Sequence, residues 1–428
     1  MNIFNTYKGL PKCIYALFCV QVINRLGDFV FPFLSLLLTQ KLNFSYSMTG
    51  VIVMTASLVA IPASLLGGRL ADLVSRRKTY LIGQGLASLA VLICGIIKNP
   101  IAIIILLIVS AFFNGFVRPT ISAITADVLP SKKRQIGSSL TYLGINIGVA
   151  LGPIIAGFLF NNYLSLLFIL DGLSSFIAII IFYIFVEETR PQGGSKYEKN
   201  IKEKEASGNL IEVLLKRPSL TFFLIINMFY SFAYGQVTFS LPMMMNDVFK
   251  ENGATNYGYL MSINAITVIF LTVLVIALTK RFKTLINIII AGIFYMIGFG
   301  MIGVIGNSFS LFIISTILWS IGEVIAATNN GVYLANNSPE NFRARISAAS
   351  NLTYALSTAL GTSVLGKYID YYGINKVWSL VFIAVFIGIC LMVRLHIYNL
   401  KSEKLNTGVL EVKDEICKKN KGISIHSS

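Results

Sequence analysis

Long apolar runs are the feature that most limits how this chain can fold. Residues 50–67 and 79–97 are two such runs, each of a length that crosses about 30 Å of hydrocarbon as a helix. Of the 428 residues, 55% are hydrophobic and only 13% are charged. Water-soluble globular domains do not have this composition. The sequence therefore predicts an all-α membrane protein whose chain crosses the bilayer many times.

We expect twelve membrane-spanning helices, called predicted spans 1 to 12, joined by short polar turns. Residues 187–218 are rich in Lys and Glu and predict a cytoplasmic linker between two groups of six spans. This division gives an N-terminal half at 1–186, a C-terminal half at 219–398 and a cytoplasmic tail at 399–428. Within the linker, residues 209–215 are apolar enough to lie on the membrane surface. The predicted bounds of the spans are 11–38, 48–68, 79–97, 100–128, 137–160, 164–186, 219–246, 257–279, 285–305, 309–335, 344–366 and 376–398.

An internal repeat of nearly half the chain length supports this division. Chance would not concentrate matches of Pro, Arg and Gly at one offset, so the matches predict two six-helix repeats around a central cavity. A shift of 210 residues pairs Phe29 with Phe239 and Pro32 with Pro242. A shift of 209 residues pairs Ala126 with Ala335, Pro130 with Pro339, Arg134 with Arg343, Ser138 with Ser347, Gly152 with Gly361 and Gly157 with Gly366.

The excess of basic residues follows a topological pattern. The net charge is +16, and 28 of the 35 Lys and Arg residues lie in segments that alternating spans would place on one side of the membrane. Lys and Arg accumulate on the cytoplasmic side of membrane proteins. The pattern predicts a multi-pass protein of the cytoplasmic membrane (inner or plasma membrane) with both termini cytoplasmic. It explains the charge without a nucleic-acid partner.

The cysteines and histidines offer no obvious chemistry. The five cysteines are scattered without a Cys-x-x-Cys pair, and the only histidines, His396 and His426, lie near the C-terminus. No Gly-x4-Gly-Lys nucleotide motif is present. We therefore expect no metal, no cofactor and no enzymatic activity, with an ion gradient, most simply of protons, as the energy source. The expected partners are a small-molecule substrate and the lipid bilayer, and we expect a monomer.

A basic turn between predicted spans 2 and 3 carries a specific motif. Asp72 follows Gly68 by four residues, and four residues after Asp72 comes a basic triplet that begins Arg76-Arg77. This spacing resembles the signature loop of the major facilitator superfamily, with Ser75 where that loop has a second glycine. The resemblance implies a conformational latch, in which Asp72 meets the N-terminal end of span 11 when the cytoplasmic side is closed. The alternative is a loop that only fixes orientation, which would not need a carboxylate.

Predicted span 5 contains regularly spaced small residues. Gly144, Gly148 and Gly152 are four residues apart, and Pro153 and Gly157 follow. Such spacing makes a groove for close helix packing, and Pro153 bends the helix. The pattern also resembles the antiporter motif in span 5 of the same superfamily. Plain packing is the alternative interpretation.

Ionisable residues inside predicted spans mark candidate functional sites, because each is costly to place in a membrane. Span 1 carries Asn24, Arg25 and Asp28 on one helical face, so Arg25 and Asp28 can pair. The pair either responds to substrate or protons, or only orients the helix. Span 4 carries Asn114 and Arg118, again on one face. The resemblance places a polar, often basic, residue at such a position in proton-coupled members.

Span 10 carries Glu323, and the 209-residue shift maps Asn114 onto it. Corresponding positions in two repeats face one central axis, so we expect Glu323 to face the cavity from the opposite wall, with Asn330 two turns later. Desolvation disfavours the charge of an isolated carboxylate, which suits a group that takes up and releases protons. The alternative is a buried Glu that is permanently hydrogen-bonded to span 7 or span 11.

Predicted span 7 is aromatic, and its Tyr230, Tyr234 and Gln236 would suit an apolar or cationic organic substrate if they line the cavity. Contact with lipid is the alternative for several of these aromatic residues.

Together the residues and the resemblance predict a secondary active transporter, most like the proton-coupled drug antiporters of the superfamily. A proton-coupled uptake symporter for a nutrient is one alternative. A lipid flippase or a non-transporting sensor on the same fold is another.

Overall fold

The computed structural model describes residues 7–190, 210–339 and 342–423. All regular elements within these residues are helices. Eight helical stretches among them are long and apolar enough to cross a membrane. The structure is therefore all-helical and carries several spans, as the apolar runs predicted.

The helices before residue 190 form the first half of the structure. They are α1 (Lys12–Leu26), α2 (Leu34–Leu36, continued by a π-helical turn at Leu37–Lys41), α3 (Tyr46–Leu73), α4 (Arg76–Cys94), α5 (Pro100–Asn114), α6 (Val117–Val128), α7 (Ser131–Asn162) and α8 (Leu164–Phe185).

The helices after residue 217 form the second half, and a short helix, α9 (Leu210–Leu215), precedes them. They are α10 (Pro218–Gly235), α11 (Ser240–Phe249), α12 (Gly253–Thr279), α13 (Thr284–Ile302), α14 (Phe309–Asn337), α15 (Arg343–Tyr372) and α16 (Val377–Ile423), with short 3-10 turns at Lys250–Asn252 and Ile374–Lys376.

Predicted spans 1 and 7 are each two helices in the structure, which corrects the prediction of continuous helices. Span 4 has a short turn between α5 and α6, but Pro100–Val128 is still one helical stretch, as predicted. Residues 27–33, 115–116 and 236–239 separate α1 from α2, α5 from α6 and α10 from α11. Pro242 lies in the first turn of α11, where its missing N–H would have no helical partner in any case. The breaks in spans 1 and 7 overlap under the 210-residue shift. The last helix is also longer than predicted and continues to Ile423.

The two halves meet through two pairs of long helices, α3 with α15 and α7 with α12. Glycines allow the backbones to approach closely. A Cβ atom on Gly50 of α3 would collide with the backbone of Thr362 in α15, and a Cβ atom on Gly258 of α12 would collide with the carbonyl of Pro153 in α7. Both contacts therefore require glycine and hold the halves together without side chains between them.

These contacts lie toward one end of the bundle. The end that contains residues 42–45, which join α2 to α3, is called the opposite end. The end that contains residues 74–75, which join α3 to α4, is called the loop end. The close glycine contacts at Gly50 and Gly157 lie toward the opposite end. The halves therefore meet at the opposite end of the bundle.

Candidate functional site

A cavity of about 910 Å³ lies between the helices, and a smaller compartment of about 290 Å³ adjoins it. Both compartments are lined by Arg25 and Asp28. The larger compartment extends along the first half to Thr125 and Ser138, near the loop end. The smaller one includes residues of the second half, among them Tyr234. The cavity is therefore built from both halves and reaches toward the loop end.

The polar residues of α1 form one wall. The Nη1 atom of Arg25 lies 2.7 Å from Oδ2 of Asp28, which follows the end of α1. Asn24 donates to the hydroxyl of Tyr80 on α4 at 3.3 Å. The predicted spacing thus brings Arg25 and Asp28 together as an ion pair at the cavity surface.

Asp171 of α8 is a buried carboxylate that the sequence analysis did not select. Its side chain lines the larger compartment, and the residue is only 7% exposed. Its Oδ2 atom accepts the backbone N–H groups of Phe29 and Val30 at 3.0 and 2.9 Å. These are two of the donors that the break after α1 leaves without helical partners. Asp171 therefore stabilises the break in predicted span 1, and a single carboxylate in an apolar run was the only sequence signal for it.

Glu323 lies on α14 and is hydrogen-bonded by neutral donors. The hydroxyl of Tyr234 donates to Oε1 at 2.8 Å, and Nδ2 of Asn264 donates to Oε2 at 2.7 Å. Asn264 lies on α12, and its Nδ2 atom is also 2.9 Å from the hydroxyl of Ser320. Within the described residues no Lys or Arg forms an ion pair with Glu323. The structure thus groups Glu323 with Tyr234 and adds Asn264, a lone amide that the sequence gave no reason to select. Tyr234 and Asn264 line the smaller compartment, whereas Glu323, which was expected to face the cavity, lies outside the lining of both compartments.

A buried aromatic cluster holds this part of α14 in place. Trp319 stacks on Phe299 of α13 with the ring centroids 5.6 Å apart, and Tyr234 meets Trp319 edge-on at 6.3 Å. Such aromatic contacts add to the stabilisation from burial. Because Trp319 lies one turn before Glu323, the cluster fixes the direction in which Glu323 points.

The other predicted site residues divide into two groups. Asn114 and Arg118 line the larger compartment. Tyr230, by contrast, is 2% exposed and packs against Gly292 of α13, and Gln236 is fully buried beside Ser240, whose hydroxyl it accepts at 2.8 Å. These two residues lie outside the lining of both compartments, which corrects the expectation that they face substrate.

Asn330 lies closer to the loop end, where its Nδ2 atom is 3.4 Å from Oδ1 of Asn227 on α10. It too lies outside the lining of both compartments.

The glycines of α7 bring three helices together. Gly148 and Gly152 lie against the backbone of α1 at Arg25 and Leu26, and Gly157 lies against the backbone of α12. Pro153 lines the smaller compartment. The span-5 motif therefore sets the distance between α1, which carries the ion pair, and the second half.

The loop between α3 and α4 is held by carboxylates of its own half. Arg76 forms an ion pair with Asp127 at the end of α6, and both side chains are largely buried. Ser75 caps α4 by accepting the N–H of Lys78 at 3.0 Å. Its hydroxyl also donates to Glu188. Serine thus makes two contacts here that a glycine could not make.

Glu188 follows α8 and lies at the N-terminus of α4. Its carboxylate accepts the N–H groups of Arg76 and Arg190 at 3.1 and 3.0 Å, besides the hydroxyl of Ser75. Partial burial opposes the charge, but these hydrogen bonds outweigh it and hold the pKa of Glu188 below its ordinary value. Glu188 is therefore a charged link between α8 and the start of α4.

Asp72 and Asp370 lie at the two ends of the same helix pair. Asp72, near the end of α3, has a side chain that is 66% exposed and lies 3.4 Å from Arg76 of its own half. Asp370, near the end of α15, accepts the N–H groups of Tyr46 and Ser47 in the first turn of α3, at 3.2 and 2.8 Å. A carboxylate therefore joins the halves at the opposite end, whereas Asp72 is not docked on α15.

The family model described as Major Facilitator Superfamily matches residues 17–362, which is most of the chain. The chain belongs to the Major Facilitator Superfamily. The resemblance seen in the signature loop is thereby confirmed, and the protein is a multi-pass member of a family of membrane transporters.

Similar members of the superfamily include proteins of known and unknown activity. YqjV, an MFS-type transporter of Bacillus subtilis (strain 168), is 23% identical over 380 residues, which are 86% of this chain and 89% of YqjV. A Na(+), Li(+), K(+)/H(+) antiporter of Planococcus maritimus is 20% identical over 354 residues, 76% of this chain and 82% of that protein. The solved structure of a POT family transporter in complex with a thioalcohol conjugated peptide has a TM-score of 0.75 at 14% identity and covers 92% of this chain and 99% of that one. At this low identity, the similarity to the POT family structure shows only that the two proteins share a fold.

Proposed function

We propose that this superfamily member is a secondary active transporter that exchanges protons for a small organic substrate and exports that substrate across the cytoplasmic membrane. In this proposal the chain forms twelve transmembrane helices in two six-helix repeats, places both termini in the cytoplasm and acts as a monomer. The loop end is then the cytoplasmic end, in keeping with the basic residues near it. The proton antiporter among its relatives supports exchange as the mode of transport.

The observation that carries the proposal is the environment of Glu323. Its two oxygens are bonded by a phenol and an amide, and within the described residues no cation holds it in the ionised form. An ion pair would keep a carboxylate charged, whereas neutral donors leave both protonation states accessible. Glu323 can therefore bind a proton in one conformation and release it in another.

Alternating access supplies the second part of the mechanism. The described conformation is closed at the opposite end, where Asp370 caps α3, and its cavity reaches toward the loop end. We infer that in the other conformation Asp72 docks on the first turn of α15, while Asp370 leaves α3. A helix N-terminus carries about half a positive charge, so each docked carboxylate stabilises one conformation. Proton binding at Glu323 then alters the balance between the two conformations.

Transport in everted vesicles tests the coupling role of Glu323. Respiration loads the vesicles with protons, and addition of a transported substrate to wild type should release protons in exchange. The panel contains lipophilic cations, sugars, peptides and organic carboxylates. Glu323→Gln mimics the protonated state, so we expect it to abolish pumping against a gradient while substrate still equilibrates down its own gradient.

Glu251→Gln is the matched control, because Glu251 is exposed at the opposite end and should not affect coupling. If Glu323→Gln continued to pump against a gradient with an unchanged pH dependence, Glu323 would be structural. Asp28 would then become the leading candidate for the coupling site.

A further inference from the structure

The cavity contains one positive charge that the described protein does not neutralise. Arg118 projects from the start of α6 into the larger compartment, and the residue is exposed. Within the part of the chain that the structure describes, it makes no hydrogen bond or ion pair. Arg25, which also lines the cavity, differs because it pairs with Asp28. Arg118 therefore offers all its guanidinium donors to the cavity.

The carboxylates that line this cavity, Asp28 and Asp171, and the nearby Glu323 already have other partners. Asp28 accepts from Arg25, Asp171 accepts two backbone N–H groups of predicted span 1, and Glu323 accepts from Tyr234 and Asn264. A change of partner by Asp171 would take an acceptor from the N–H groups of Phe29 and Val30, which is costly. A change of partner by Asp28 would instead leave Arg25 as a second unpaired charge in the cavity. The acceptor for Arg118 is therefore expected to come from outside the protein.

The surroundings of Arg118 connect it with the other wall. Asn114 lies one turn earlier along the chain and lines the same compartment. Tyr354 of α15 lines the smaller compartment and interacts electrostatically with both Arg118 and Glu323. A molecule bound between the walls is thus within reach of a guanidinium on the first half and of phenol groups on the second.

From this arrangement we propose that the substrate is a small organic carboxylate whose acid group binds Arg118. The proposal rests on the function proposed above and names the substrate class of the same cavity. Closure of the cavity removes water from Arg118, and a guanidinium without an anion is costly inside a membrane protein. A carboxylate offers two oxygens that match the guanidinium fork and offsets that cost. A purely cationic substrate would instead add a second uncompensated charge beside it.

A binding experiment with three matched probes tests this proposal. The probes are 2-naphthoate, its methyl ester and a naphthyl trimethylammonium ion, which share one aromatic body and differ in charge. Binding to the purified full-length protein in lipid nanodiscs is measured by titration of the melting temperature. We expect the carboxylate to bind at least about tenfold more tightly than the ester, since hydrogen bonds to charged groups are the strong ones. Arg118→Gln should remove that preference, and Arg118→Lys should restore part of it.

Arg281→Gln is the matched control, because Arg281 lies between α12 and α13 and lines neither compartment. The proposal is overturned if the carboxylate binds no more tightly than the ester, which includes the result that no probe binds, or if Arg118→Gln leaves the preference unchanged. The experiments distinguish a wrong substrate class from a wrong proposed function. Glu323→Gln should keep the carboxylate preference while losing pumping, and loss of pumping without any carboxylate preference would refute the substrate class alone.

Discussion

The hydrogen bonds of Asp370 predict how much this one side chain favours the described conformation. Asp370 accepts two N–H groups in the first turn of α3 across the boundary between the halves. Asp370→Asn removes the charge and leaves an amide oxygen that can accept one of these bonds. The side chain is exposed, so the loss should be about 1 kcal/mol, inside the range of about 0.3–2 kcal/mol for charges at helix termini. That value corresponds to a shift of about fivefold between the two conformations.

The assay measures the distance between the two halves at the opposite end. Spin labels replace Met48 on α3 and Tyr371 on α15, both of which are exposed, in a protein whose five cysteines have been replaced. Pulsed electron paramagnetic resonance then reports the fractions of short and long distances. We expect Asp370→Asn to increase the ratio of long to short distances about fivefold. If Asp370→Asn changed this ratio less at high salt concentration, that result would support an electrostatic origin of the effect.

Asp247→Asn is a demanding control. Asp247 is near enough to Tyr46 to interact with it electrostatically, but it pairs with Lys250 at 3.6 Å and is not an acceptor for the first turn of α3. Asp247→Asn removes a nearby negative charge but leaves the carboxylate of Asp370 bonded to the first turn of α3. An unchanged distance distribution in Asp370→Asn, or an equal change in Asp247→Asn, would refute the reasoning.

Three further predictions follow from the described contacts. Asp72→Asn should leave the protein folded and inserted but slow transport, because it removes the carboxylate proposed to dock on α15; wild-type transport rates would contradict this. Arg25→Ala should lower stability more than the double change with Asp28→Ala, since the single change leaves a charge unpaired, and additive melting temperatures in that double-mutant cycle would argue against coupling. Glu188 has a lowered pKa, so its charged form stabilises the folded state above its ordinary pKa, and this contribution disappears as the pH falls through the folded-state value. Glu188→Gln should therefore make the melting temperature less sensitive to acid, and an unchanged acid dependence would contradict the role of Glu188.

The sequence predicted those features that depend on short spacing along the chain. Arg25 and Asp28 are three residues apart, and their side chains pair as predicted although the helix ends at Leu26, before Asp28. The signature loop led to the superfamily because its Gly, Asp and basic residues have fixed offsets. The length of the apolar runs likewise predicted an all-helical chain with several spans.

Features that depend on the rotation of one helix against another could not be predicted in this way. Tyr230 and Tyr234 are four residues apart on one helical face, yet Tyr234 reaches Glu323 while Gly292 and its helix cover Tyr230. Asn264 was not predicted either, since a single amide in an apolar span gives no sign of the carboxylate that it meets. Asp171 depends on N–H groups that only the break in predicted span 1 makes available. A continuous helix, as predicted from the sequence, would have left this carboxylate without those partners.

Two arginine contacts fix the ends of the connection between the halves. Arg190 donates to the carbonyl of Val74 in the first half, and Arg217 donates to the carbonyl of Asn337 in the second half, at 3.0 and 2.9 Å. In the proposed transport cycle these two contacts move with different halves, and the chain between Arg190 and Arg217 has to span the change in their separation. Its first nineteen residues, 191–209, can extend to roughly 60–70 Å, which exceeds the width of a helix several times over. The covalent length of this connection therefore does not limit the proposed rocking motion.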